Sequence, residues 1–274
     1  MHPTVLFVVA ISTLLAEECD PKILRLIGPD ARMLSGGNAQ LYQKSALATI
    51  VPMMSHTVPE GTGEFVRIGT RLGQDLLVLR GLPPIPQVPA QPLEDRIEWP
   101  RATQLDSLTA VLGNPDAVRE AIAHWNSKEP PTSPLAATVQ RLSASYDVWG
   151  LIVRPLQLDA TPKTRGKYRD EFVQIIQEVR FGIRLGGLNR VVIEGVTKTA
   201  DDASGLAALA HWGPGLLLMI DGDERMNAVV ELIDDYDVSV AGTLVTATFS
   251  LEEDRLKDLL KALEKRAARD RDPQ

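Results

Sequence analysis

Apolar residues alternate with Arg or Gly at residues 66–73, VRIGTRLG, and again at 179–186, VRFGIRLG, the period-two pattern of a half-buried strand. The octapeptides are identical at six of eight positions with an offset of 113. With one inserted residue the match runs on, pairing LLVLRG (76–81) with RVVIEG (190–195). Each copy predicts a β-hairpin. Ahead of the hairpins, Leu47, Ile50, Val51 and Met54 in one half and Phe172, Ile175, Ile176 and Val179 in the other have helical spacing, and strands are expected near 31–35 and 147–156.

A second hairpin and a helix are expected to close each half. In the first these are strands at 96–100 and 105–112, then a helix capped by Asn114 with Pro115 next, whose Val118, Ala121, Ile122 and Trp125 form an apolar stripe. In the second they are strands at 237–240 and 244–251 and a helix from Glu252 that buries Leu256, Leu259, Leu260 and Leu263, with Ser250 and Glu253 read as a capping box. Thr199 and Asp202 form a similar box ahead of Leu206, Ala207 and Ala210. The expected fold is α+β: an internal duplication of β-α-β-β units, as two antiparallel sheets each with helices on one face, with a ferredoxin-like arrangement as the candidate.

Prolines mark the punctuation. LPPIPQVPAQP (82–92) holds five prolines in eleven residues and reads as an extended linker inside the first unit, 20–127. KEPPTSP (128–134) opens a connecting helix, 128–145, capped by Ser133 and apolar at Leu135, Val139 and Leu142; the second unit is 146–274. Residues 4–15, TVLFVVAISTLL, are too short to span a bilayer but fit a secretory signal ending near Ala16, so residues 1–18 are read as a signal peptide. That predicts a periplasmic or secreted protein; the alternative, a buried first strand, would leave it cytoplasmic. The uncharged run 203–220 is broken by Gly213, Pro214 and Gly215, so it reads as two short core helices, and no transmembrane span is expected.

Over 274 residues, a formal charge of −7 removes the basic face that general nucleic-acid binding needs. The single cysteine, Cys19, excludes an intrachain disulfide and Cys-rich metal sites, and no two of the four histidines lie at metal-ligand spacing. Neither metal nor cofactor is indicated. HExxH, GxSxG, SxxK and the P-loop pattern are all missing. DGDERMNAVVEL (221–232) fails as a calcium loop, because Arg225 and Met226 stand where an oxygen ligand and glycine belong.

The arginines of the repeat are the candidate site. Pairing Leu185 with Val191 and Ile183 with Ile193 puts Arg180, Arg184, Val192, Glu194 and Val196 on one face, with Glu194 opposite Gly182 between the two arginines. In the first copy the same geometry brings Arg67, Arg71 and Arg80 together without an acid, unless Asp95 or Glu98 compensates. Arg67, Arg71, Arg80, Arg180 and Arg184 are thus the expected contacts to an anionic ligand or a protein. Outward Leu76, Val78, Val192 and Val196 make the free sheet face too apolar for water alone, so another element or a partner should cover it.

The succession DARMLSGGNA, TAVLGNPDAVREAI, YDVWGL, VRFGIRLG, TKTADDASGLA and VSVAGTLVTATFSLEEDRLKDLL resembles an uncharacterised family of bacterial exported proteins. The resemblance implies an exported α+β protein and carries no functional residues. The expected function is a non-catalytic cell-envelope module that binds a protein or an anionic ligand. The alternative is a hydrolase-like enzyme with a dispersed carboxylate and arginine site; the oligomeric state is left open.

Overall fold

The computed structural model describes residues 19–50, 58–59, 61–70, 75–81, 102–131, 133–153, 174–211 and 228–271. The signal segment 1–18, the linker 82–92, the strand expected at 96–100, the second helix of the 203–220 run, the acidic turn 221–227, Val51, Met54, Arg71 and Phe172 lie outside these residues.

Ten strands form one antiparallel sheet. They are β1 (Ala31–Asn38), β2 (Glu64–Thr70), β3 (Asp75–Arg80), β4 (Thr103–Gln104), β5 (Thr109–Gly113), β6 (Val148–Val153), β7 (Ile176–Arg184), β8 (Leu188–Thr197), β9 (Asp234–Ala241) and β10 (Leu244–Glu252). Their order is β4-β5-β3-β2-β1-β6-β7-β8-β10-β9. The expectation of two sheets is therefore corrected to one, because β1 pairs with β6 from Met33↔Ile152 to Gly37↔Val148. Left apart, each would be an apolar edge with unpaired backbone, and joining them removes both edges.

This seam is close-packed through glycine. One row across it reads Val66, Gly36, Trp149, Gly182, Val192. A Cβ on Gly36 would stand 2.6 Å from the Trp149 ring, and one on Gly182 would meet the Tyr146 ring at 2.3 Å. On the opposite face a Cβ on Gly150 would lie 2.0 Å from Phe181. Each glycine vacates the space that a neighbouring aromatic fills, which buries Trp149 almost completely. At ~25 cal/mol per Å² over the roughly 200 Å² of a tryptophan, that burial is of order 5 kcal/mol.

Helices cover both faces, which corrects the expectation of one. On the front, α1 (Pro21–Leu24), α4 (Pro115–Asn126) and α5 (Ala136–Ser145) pack Ile23, Val118, Trp125, Val139 and Leu142 over Leu34, Val66, Val78, Val111 and Leu151. Leu76 and Val78 are therefore core, and β3 reads as an unbroken apolar run because both its faces are buried. On the back, α2 (Ala39–Lys44), α3 (Leu47–Ile50) and α7 (Glu253–Arg271) bring Tyr42, Leu47 and Leu256 against Phe65, Leu79, Ile183 and Phe249. Also on the back, α6 (Ala200–Ala210) buries Ala203, Leu206 and Ala207 on Val238 and Val245.

Local signals explain most ends. Asn114 Oδ1 accepts from the Asp116 N–H at 2.9 Å with Pro115 at the first turn, and Thr199 Oγ1 accepts from the Asp202 N–H at 3.1 Å. Ser133 Oγ accepts from the Leu135 N–H in the turn that leads into α5. The Ser250–Glu253 box does not form: Ser250 is a strand residue paired with Arg190 and Asp234, and Glu253 is engaged elsewhere. The helical spacing at Ile176 and Val179 is overridden by β7, whose alternation is satisfied by pairing with both β6 and β8.

The registers carry a further correction. Ile183 pairs with Val191 and Phe181 with Ile193, a slip of two residues that keeps every side chain on its expected face but moves Glu194 opposite Arg180. In the first hairpin Arg80 pairs with Glu64 and Arg67 with Leu77, so Arg67 lies on the back face and Arg80 on the front. Arg180 shares the front with Leu151, so the two copies of the octapeptide present opposite faces.

The two kinds of glycine predict opposite outcomes. Gly150→Ala forces the Phe181 ring to move and should cost about 2–3 kcal/mol in urea unfolding. Gly205→Ala, in α6 with nothing within 4 Å of the added Cβ, should gain roughly 0.5–1 kcal/mol.

Candidate functional site

Arg67 and Arg80 do not converge, since they lie on opposite faces of the sheet. Arg80 Nη2 lies 3.0 Å from Asp20 Oδ2, and its Nη1 lies 3.9 Å from Glu64 Oε2. Asp20 is also the N-cap of α1, accepting from the Lys22 N–H at 2.8 Å, so Arg80 pins that helix to β3. Beside them Cys19 is buried, and its thiol is pushed far up, first by burial and then by Glu64 and Asp20. It is held as an unreactive thiol. Its N–H donates to Ser143 Oγ of α5 at 3.1 Å.

Arg180 sits between two acids, Glu178 through Nε and Glu194 through Nη1 at 3.4 Å. Burial opposes its charge, and these two carboxylates outweigh burial and hold the guanidinium more firmly protonated. Arg141 of α5 reaches the same Glu194 at 3.8 Å. Tyr146, stacked over Gly182 nearby, has its phenol pushed up by burial and then by Glu194. Arg184 Nε donates to the Ser145 carbonyl at 2.8 Å and so caps the C-terminal end of α5. Of the five predicted residues, the structure engages Arg80, Arg180 and Arg184 in internal contacts, sets Arg67 on the other face, and leaves Arg71 outside its description.

Two features escape a reading of the sequence. The first is Glu253. Its Oε1 accepts the Ala46 N–H at 2.8 Å, and its Oε2 accepts Ser45 Oγ at 3.0 Å and Asn189 Nδ2 at 2.8 Å. Lys257 Nζ lies 3.6 Å away. Burial pushes this carboxyl up, but the backbone, amide and hydroxyl donors and Lys257 outweigh burial and hold it below its usual 4.5. One side chain thus ties α7, the turn between α2 and α3, and the start of β8 together.

The second is the outer half of the front face. Its rows run Arg180, Glu194, Thr246, Ser239 and Gly182, Val192, Thr248, Asp237. Among the described residues no helix covers β10 and β9 on this side, α5 reaches β8 there through Arg141 to Glu194, and Val192 and Val196 are half-buried. A bulge interrupts β9 at Asp235, a non-glycine residue with φ 51°, between the pairs Thr248↔Asp237 and Ser250↔Asp234. A cavity of about 280 Å³ lined by Arg190, Asp235, Thr248, Phe249 and Ser250 opens beside it.

No group of three or more metal-ligating side chains exists among the described residues, and no described helix is long and apolar enough to cross a membrane. His124 lies on α4 with Glu120 4.0 Å from its Nε2, one turn earlier on the same helix, and His211 caps α6. No protein-family model matches the chain, and neither a curated protein nor a solved structure matches it.

The sign of the Glu253 effect follows from its lowered pKa: its stabilisation is complete above about 4.5 and is lost as pH falls below that value. Glu253→Gln should cost roughly 2 kcal/mol at pH 7, where a charged acceptor is replaced by a neutral group with its own donor. Denaturant titrations at pH 7 and pH 3.5 should show the gap to the parent protein narrowing at the lower pH.

Proposed function

We propose that this protein is a non-catalytic binding module of the cell envelope that recognises a protein through the open outer part of its sheet. The observation that carries this reading is the contrast within one sheet. Its first half is buried on both faces, whereas the front of β10 and β9 has no helix over it among the described residues, and the outer front face mixes Val192, Leu244, Thr246, Thr248 and Ser239. A surface of half-buried valines and hydroxyls suits a protein partner better than a small anion.

The anionic-ligand reading is less favoured at Arg80 and Arg180, whose charges are met by Asp20, Glu64, Glu178 and Glu194. For the hydrolase alternative, the carboxylates beside Arg180 are engaged with it and so are not free for acid-base work. Export rests on the apolar run 4–15 and on the resemblance to exported proteins. Internal duplication is supported by a strand order that repeats outward from the seam, five strands to a side, though the octapeptides face opposite ways. The strand order does not support a ferredoxin-like unit: β1 pairs directly with β2 and β6 with β7, whereas a split β-α-β element places a third strand between the two it connects.

Two measurements test the proposal. Intact mass of the untagged protein from an envelope fraction should be short by roughly 16–18 residues, and a full-length cytosolic protein would overturn the location. Thr246→Lys with Thr248→Lys projects two cations from the open face without touching either core. Envelope proteins captured by the parent chain should be lost at unchanged thermal midpoint, and retention of the same partners would overturn the assigned surface.

A further inference from the structure

The two ends of the sheet are unlike. At one end β4 is two residues long, a short edge that offers little to pair with. At the other, β9 runs for eight residues, and no described strand pairs with its outer side. The hairpin turn fixes which of its groups are free. The β9–β10 connection is the two residues Gly242 and Thr243, with Gly242 at φ 63°, as a tight hairpin turn requires. Thr243 directs its carbonyl to Thr197 of β8, so alternate residues of β10 bond to β8 and those between them, Leu244, Thr246 and Thr248, bond to β9. Their partners Ala241, Ser239 and Asp237 turn inward. Val238 and Val240 therefore direct their N–H and C=O groups outward along the open edge.

The side chains say what fits there. Asp237, Ser239 and Ala241 lie on the front, while Val238 and Val240 lie on the back, where Val238 joins the α6 core and Val240 is 44% exposed. Asp235 stands beside the front cavity. Asp234 is taken by Arg255 at 2.7 Å, but Asp235 and Asp237 have no ion pair among the described residues. An incoming strand would thus meet two carboxylates on one face and valine on the other. A second copy of the chain is the wrong occupant, because it brings the same acids and a further charge of −7.

We propose that the outer edge of β9 accepts an extended segment of a partner protein as an eleventh, antiparallel strand, with basic residues opposite Asp235 and Asp237 and apolar residues opposite Val238 and Val240. The inference rests on the protein-binding reading and specifies its partner. Backbone hydrogen bonds supply the affinity, and alternation of basic and apolar side chains supplies the selectivity.

The probe is the capped heptapeptide acetyl-Thr-Val-Thr-Val-Lys-Val-Lys-amide, which aligns antiparallel with its lysines facing Asp237 and Asp235. With the full chain its dissociation constant should fall on the order of 10–100 μM, and amide exchange at Val238 and Val240 should slow. The peptide with glutamate in place of both lysines should bind about tenfold or more weakly, as should the parent peptide to Asp237→Lys. Val240→Pro, which removes one outward donor at an exposed edge position, should abolish binding. N-methylation of the edge-facing valines of the peptide tests the same hydrogen bonds with the protein unchanged. Equal binding of the basic and acidic peptides, protection elsewhere in the sheet, or a dimer that Val240→Pro dissociates would overturn the proposal. If envelope partners still bind Val240→Pro, the edge assignment falls and the broader binding function stands.

Discussion

The pairing of β1 with β6 is the constraint on which the rest of the molecule depends. It can form only because Gly36, Gly150 and Gly182 leave room for Trp149, Phe181 and Tyr146 in the three central strands. Without that exchange of side chain for space, the aromatic rings would hold the strands off register or swing out of the sheet. With it, two five-strand assemblies share one hydrogen-bonded plane, and helices on either side can bury residues from both. Glu253 fastens the same union from the back, since Ala46 belongs to the first stretch of chain and Asn189 to the second.

Elements whose evidence is local were legible in the sequence. The β2–β3 and β7–β8 hairpins, β10, α4 with its Asn114–Pro115 start and α6 with its Thr199 cap announce themselves through period, turn chemistry or capping. What sequence pattern could not provide was the side of the sheet. Alternation says that successive residues face opposite ways and is silent on which way the core lies. The same octapeptide thus points Arg67 to the back and Arg180 to the front. The seam was hidden for a related reason: its glycines are ordinary in isolation and become informative only beside an aromatic more than a hundred residues away, as with Gly36 and Trp149.

The candidate arginines were legible as charges but not as partners. Arg80 is answered by Asp20, sixty residues earlier, and by Glu64 at the far end of its own hairpin, neither of which a nearest-neighbour reading selects. A slip of two residues likewise moved Glu194 from opposite Gly182, between Arg180 and Arg184, to directly opposite Arg180. The acids of β9 had the opposite fate. DDYDV resembles a turn, and the αL bulge at Asp235 shows why: a strand that carries a turn-like residue advertises the turn and conceals the edge.

That no described helix packs on the outer front face traces back to where the helices leave their strands. After β5 the single cap residue Asn114 separates strand from helix, and α4 folds over the front. After β10 no such joint exists: Glu252 ends the strand and Glu253 begins α7. Because Glu253 falls on the back and is held there by Ala46, Ser45 and Asn189, α7 follows it, and Leu256 packs against Phe249 and Leu251. One residue of spacing reverses the face a strand delivers, so the absence of a joint after β10 sends the helix to the other side. The interaction that closes the two halves together is therefore also the one that keeps α7 off the front of β8, β10 and β9.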